Sequence, residues 1–209
     1  PQVRMSLVEA EIAKVALNCY ITMKISFANS LANLCEKVPG TNVDNVTKAL
    51  GYDRRISPYY LRGGLSFGGT CFPRDTKAYM AFARELKVQS DLINSTEKVN
   101  NFQNRHLLEL VKSGLSKKDK TVSILGLSFK SGTPVMEKSV SSYLIPKLLR
   151  LGVKITVYDP LAFKQAKKVY GNRIKYSTSI IECATNTSVI IVTNNDSKFK
   201  SIENNRFKR

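Results

Sequence analysis

Cys71 closes a glycine-rich run, Gly63-Gly64-Leu65-Ser66-Phe67-Gly68-Gly69-Thr70, and is followed at once by Phe72-Pro73-Arg74-Asp75. Glycines let backbone N–H groups approach a ligand without side-chain obstruction. Pro73 marks the first turn of a helix, where its missing N–H costs nothing. The positive end of a helix favours negative charge, so a cysteine just before it is biased towards the reactive thiolate. Asp75 lies one turn beyond, placed to orient a water or manage a proton. On local physics alone, a covalent nucleophile and a glycine turn with a buried cysteine both remain open, because no base is adjacent in sequence. His106 is the single histidine, so acid–base chemistry falls to Lys, Asp, Glu or water. Cys19, Cys35 and Cys183 show no CxxC spacing; they suggest neither zinc nor a disulfide framework and are expected to be small buried hydrophobes.

The elements that must position these residues divide into two kinds. Residues 6–37 carry apolar side chains at helical spacing, from Ile12 through Cys19, Met23 and Phe27 to Leu34, until Pro39-Gly40 stops the run. Thr41 is expected to cap a second helix over about 42–50. A glycine-rich irregular stretch, 51–72, leads to helices over about 73–86 and 89–114. Beyond the charged Lys117-Lys118-Asp119-Lys120 the pattern changes to apolar runs at 121–127, 153–158 and 188–193, alternating with helices near 138–150 and 179–184. Pro146 is expected to kink the first of these. Strands alternating with helices argue a parallel sheet. The expected architecture is therefore an all-helical domain at 1–116, followed by a Rossmann-like parallel α/β domain at 117–209.

The chain has 209 residues, is 43% hydrophobic and carries a formal charge of +17. That field attracts anions. The Lys and Arg residues are scattered through every element rather than gathered in a stripe with aromatics, so nucleic acid is not the expected partner. No apolar run reaches the ~18 residues of a membrane span, and no signal segment is recognisable at the start. A cytoplasmic protein without a membrane partner is expected.

Five ordered motifs carry a resemblance. Ala10-Glu11…Lys14…Asn18 resembles A-E-x-x-K-x-x-x-N; Arg55-Ile56 after Asp53 resembles D-x-R-I; residues 63–75 resemble G-x-G-F-G-G-S/T-C-F-P-K-D; Gly126…Phe129-Lys130…Thr133 resembles G-x-x-F-K-x-x-T; Tyr158-Asp159-Pro160 resembles a further strand end. Together they are similar to the UDP-glucose/GDP-mannose dehydrogenase family. The resemblance implies NAD-dependent oxidation of a nucleotide sugar, with Cys71 trapping the aldehyde as a thiohemiacetal and passing through a thioester. It implies that Lys14 and Asn18, which share a helix face, stabilise the oxyanion, and that Asp75 assists the thiol or positions water. It assigns Arg55, Tyr60, Leu61, Arg62, Phe67, Gly68, Phe72 and Lys130 to the substrate, Arg55 acting across a homodimer built on the long helices.

The Cys-Phe-Pro-Arg-Asp form is closer to the UDP-glucose branch than to the N-acetylmannosamine branch, so UDP-glucose is the expected substrate. Several positions depart from the pattern. Arg74, the one residue assigned towards the cofactor, replaces a lysine; Ser66 replaces a glycine; Val135 and Glu137 stand where D-x-R is usual. No G-x-G-x-x-G follows a strand, since Gly126-Leu127-Ser128 lacks the second glycine. NAD is therefore expected to be bound mainly by a domain outside this chain. The alternative expectation is a catalytically incomplete fragment or paralogue that binds UDP-sugars and dimerises.

Overall fold

A computed structural model describes residues 2–116 and 120–202. Most of the charged segment expected to separate the domains, 117–119, lies outside the described residues. The contacts divide the chain into two compact units, Pro1–Gln103 and Asn104–Arg209.

The first unit is helical: α1 (Leu7–Cys35), α2 (Val43–Gly51), α3 (Phe72–Glu85) and the first half of α4 (Asp91–Gly114). A capping box starts α1: Ser6 Oγ accepts from the Glu9 amide, and the Glu9 carboxylate accepts from the Ser6 amide. Two orphan N–H groups are thereby satisfied. Asn42, not Thr41, caps α2, its side chain accepting from the Asp44 amide at 2.8 Å. The Thr41 hydroxyl instead donates to the carbonyls of Cys35, the last residue of α1, and of Val38 just beyond it.

The inward face of α1 is made of small and polar side chains: Cys19, Thr22, Ser26, Ala28, Asn29 and Ala32 are buried. Its large apolar residues point the other way; Leu17, Tyr20, Phe27 and Leu34 are 60%, 54%, 54% and 61% exposed. Small inward residues let neighbouring backbone approach closely. A Cβ on Gly63 would lie 2.7 Å from the Ala28 carbonyl oxygen and 2.8 Å from Ala32 Cβ, so only glycine fits.

The second unit is a four-stranded parallel sheet of order β3-β2-β1-β4, from β1 (Thr121–Leu125), β2 (Lys154–Tyr158), β3 (Lys175–Tyr176) and β4 (Val189–Val192). The connections carry α5 (Val140–Arg150), α6 (Phe163–Tyr170) and α7 (Ile180–Ala184). An all-helical unit followed by a parallel α/β unit is thus the observed architecture. Val122, Ile124, Leu125, Leu144, Ile145, Leu148 and Val157 form its dry core. α5 runs unbroken through Pro146. Neither α6 nor β3 is anticipated from sequence: α6 buries only Ala166 and Tyr170, and β3 has two residues. Such short elements have too few apolar positions to show a period. The chain adds β2 and β3 on one side of β1 and then β4 on the other. That reversal opens a crevice outside the carboxyl ends of β1 and β4, where such sheets hold ligands. Among the described residues no helix is long and apolar enough to cross a membrane.

Candidate active site

Helix α3 begins at Phe72, one residue earlier than expected, and Cys71 is its N-cap residue. Cys71 has helical backbone angles (φ −84°, ψ −58°), and its carbonyl accepts the Asp75 amide at 2.8 Å, closing the first turn. The thiol is exposed, with Thr70 Oγ1 at 3.6 Å from its sulfur. Phe72 is flanked edge-on by Tyr60 and Phe67, each ring centroid 6.3 Å away, which anchors this turn.

Asp75 points into the protein and is 3% exposed. Its Oδ2 accepts from Lys14 Nζ at 2.5 Å and Asn18 Nδ2 at 2.6 Å, and its Oδ1 accepts from Arg74 Nε at 3.1 Å. Lys14 and Asn18 stand one turn apart on α1, so the carboxylate bridges α1 to α3. Burial pushes the Asp75 carboxyl up; hydrogen bonds from Lys14, Asn18 and Arg74, with the Lys14 charge, outweigh it and hold the group down at about 2. Asp75 is therefore an engaged carboxylate at neutral pH and, among the described residues, makes no hydrogen bond to the Cys71 thiol. Its geometry suits it to holding Lys14 and Asn18. An ammonium has three N–H donors and an amide nitrogen two; after Asp75 is served, Lys14 keeps two and Asn18 one for another oxygen.

The depressed carboxyl has a consequence for stability. A group whose pKa falls on folding contributes stability above its unfolded value, 3.8 here, and that contribution is lost as pH drops towards about 2. Chemical denaturation of the parent and Asp75→Asn between about pH 5 and pH 2 is expected to show the steeper loss in the parent. Parallel curves would contradict the assignment.

The other expected site residues are spread more widely. Arg55 is held at the surface by Asp53, its Nη2 2.6 Å from Oδ2, with no hydrogen bond or ion pair to the Asp75 cluster. Arg62 is also exposed and lies 3.7 Å from Asp44. Leu61 is 5% exposed and follows a turn at 57–60 in which Ser57 and Tyr60 have positive φ. Phe67 is buried, Gly68 half-buried, and Arg74 exposed beside its Asp75 partner. Lys130 belongs to the second unit, on the loop that leaves β1; it is exposed, with Nζ 5.5 Å from the Phe129 ring centre.

That loop is pinned from two strand ends. The Asp159 carboxylate, buried after β2, accepts from the amides of Leu127 (2.7 Å), Ser128 (3.2 Å), Leu161 and Ala162 (both 2.9 Å). Thr193 and Asn194, after β4, reach the Gly126 carbonyl and the Ser128 hydroxyl. The loop between β1 and α5 does not fit a dinucleotide pyrophosphate. The Asn194 amide nitrogen lies 2.7 Å from where a Gly126 Cβ would be, so Gly126 makes room for a side chain and not for a pyrophosphate. The start of α5 is taken up by Ser139, whose Oγ accepts from the Ser142 amide. No group of three or more metal-ligating side chains occurs among the described residues.

Sequence reasoning passes over three buried amides, Asn29, Asn100 and Gln103, which bond the backbone of the glycine loop. Their signal was a polar residue on the inward face of a long helix.

Two family models match the chain: the UDP-glucose/GDP-mannose dehydrogenase family central domain over residues 8–102, and the UDP binding domain of the same family over 123–209. The UDP-glucose 6-dehydrogenase TuaD of Bacillus subtilis is 33% identical over 204 residues, which are 97% of this chain and 44% of that protein. AglM of Haloferax volcanii, also a UDP-glucose 6-dehydrogenase, is 35% identical over 203 residues, 97% of this chain and 47% of its own. A solved UDP-glucose dehydrogenase from Pyrobaculum islandicum superposes with a TM-score of 0.89 at 31% identity, covering 96% of this chain and 46% of its own. The chain thus spans about half the length of the relatives it matches.

Proposed function

Because the chain belongs to the UDP-glucose/GDP-mannose dehydrogenase family, we propose that it is the substrate-binding and catalytic part of an enzyme oxidising UDP-glucose to UDP-glucuronate. Residues 1–116 carry the covalent chemistry in this reading, and residues 117–209 hold the nucleotide. The observation that carries it is the Lys14–Asn18–Asp75 cluster, one helical turn from an exposed cysteine at a helix start.

NAD, when bound, supplies the hydride acceptor for both oxidations; in this reading it is held mainly by a domain outside this chain, with Arg74 on its side of the site. The Cys71 sulfur adds to the C6 aldehyde, forming a C–S bond and a thiohemiacetal whose oxygen takes up a proton. Loss of that proton and of the C6 hydride gives the thioester. Water then breaks the C–S bond, releasing the carboxylate and restoring the thiol. Each stage places negative charge on the C6 oxygen. The free donors of Lys14 and Asn18 stabilise that charge, and the fixed Asp75 carboxylate holds them so that little reorganisation is needed. Lys14, an ammonium beside Asp75, gives a proton to the thiohemiacetal oxygen and takes it back as the hydride leaves. Lys130, on the pinned loop at the carboxyl edge of the sheet, reaches the nucleotide.

The chain acts as a homodimer. The exposed apolar residues of α1, Leu17, Tyr20, Phe27 and Leu34, support this, since an uncovered helix face of that kind is costly in a monomer.

Supplying the dinucleotide-binding half of a relative, in trans or by fusion, is expected to give two NADH per UDP-glucose. Val135 and Glu137, where the family usually has Asp and Arg, favour a second reading: a module that binds UDP-sugars and dimerises without turnover. UDP-glucose binding with no NADH formed in the assembled system would select it.

A further inference from the structure

We propose that Asn29, Asn100 and Gln103 are positioning residues for Cys71, acting through the backbone of the loop that delivers it. No helix or strand lies between Gly51 and Phe72, so the polar backbone groups of this loop need partners elsewhere. Three side-chain amides, 0%, 6% and 6% exposed, provide them. Asn100 grips both polar groups of one residue: its Oδ1 accepts the Phe67 amide at 2.7 Å, and its Nδ2 donates to the Phe67 carbonyl at 3.1 Å. Asn29 does the same across one peptide, accepting the Gly64 amide at 2.8 Å and donating to the Leu65 carbonyl at 3.2 Å. Gln103 donates to the Gly64 carbonyl at 2.5 Å, its own amide oriented by Asn33.

These amides imitate the pairing a neighbouring strand would give. They project from α1 and α4, so one loop is held from two helices. Gly63 allows the close approach, and Phe67 passes the restraint on by packing edge-on against Phe72, next to Cys71. The thiol is thereby kept at the helix start. The inference rests on Cys71 being the nucleophile.

The test is the rate at which iodoacetamide alkylates Cys71 in the 209-residue chain, resolved peptide by peptide by mass spectrometry. Asn100→Ala and the isosteric Asn100→Asp are compared with the parent at neutral pH. Cys71 is expected to react about fivefold more slowly, or slower still, in both, because a loop released from Asn100 no longer holds the thiol in its exposed position at the helix start. Buried Cys19 and Cys183 report an intact fold by staying protected. If Asn100→Ala unfolds, Asn100→Asp and Asn29→Asp carry the comparison: each keeps the shape and one acceptor, and replaces the donor facing the Phe67 or Leu65 carbonyl with a charged oxygen. An unchanged or faster Cys71 rate in the folded Asp variants overturns the proposal and leaves the amides as packing. The alkylation rate needs no turnover, so its failure is separable from that of the nucleophile assignment. Undiminished NADH formation by Cys71→Ser in the assembled enzyme would sink that assignment alone.

Discussion

Cys71→Ser is expected to lower UDP-glucuronate formation in the assembled enzyme by on the order of 10⁴-fold or more, the scale seen when a covalent nucleophile is removed. A hydroxyl at this position is a far weaker nucleophile at neutral pH than a thiol. Serine preserves the N-cap position and all the backbone bonds of α3, so folding and UDP-glucose affinity are expected to stay near the parent values. The pattern of loss is as informative as its size. Without the thiol the C6 aldehyde is no longer tethered, and a carbonyl reagent is expected to trap it free in solution. A variant active within tenfold of the parent would mean that the second oxidation proceeds without a covalent bond to sulfur.

Lys14→Ala carries the next largest effect. Turnover is expected to fall about 10²–10³-fold, the usual cost of removing an oxyanion donor, with KM changed little. Lys14→Arg is not expected to restore it, because a planar guanidinium cannot serve Asp75 and a second oxygen as a compact ammonium does. Removing Lys14 also leaves the buried Asp75 carboxylate with two of its three side-chain donors. A destabilisation of about 1–2 kcal/mol is expected from that partly unsatisfied group. Lys14 is itself 54% exposed, so the ion pair contributes less than a buried one would. Denaturation and steady-state kinetics on the same variant separate the two effects. A raised KM with unchanged kcat would instead make Lys14 a ground-state binding group.

The family and the order of its motifs were legible in the residues themselves, as were most of the long elements. Apolar periodicity is a local property, and α1, α4, β1 and β2 have enough apolar positions to display it. Where elements are short or their ends are contested, local signals were insufficient. Thr41 looks like an N-cap until the carbonyls of Cys35 and Val38 claim its hydroxyl. α6 and β3 exist because the sheet offers them an edge and a face to pack on, which no local pattern encodes.

The cysteine shows the same division. Sequence by itself determined that Cys71 follows a glycine loop, that Pro73 starts a helix beside it, and that Lys14 and Asn18 share a face of another helix. These are statements about neighbours along the chain. Only the tertiary structure decided that Asp75 turns inward to bind Lys14 and Asn18, leaving no hydrogen bond from it to the thiol. A carboxylate settles where its hydrogen bonds and charge partners are strongest, and here those partners come from a helix 57 and 61 residues away. Tertiary packing likewise selected Asn29, Asn100 and Gln103 to hold the glycine loop. An unpaired backbone must find donors and acceptors in whatever surrounds it, and what surrounds it is set by how the helices pack.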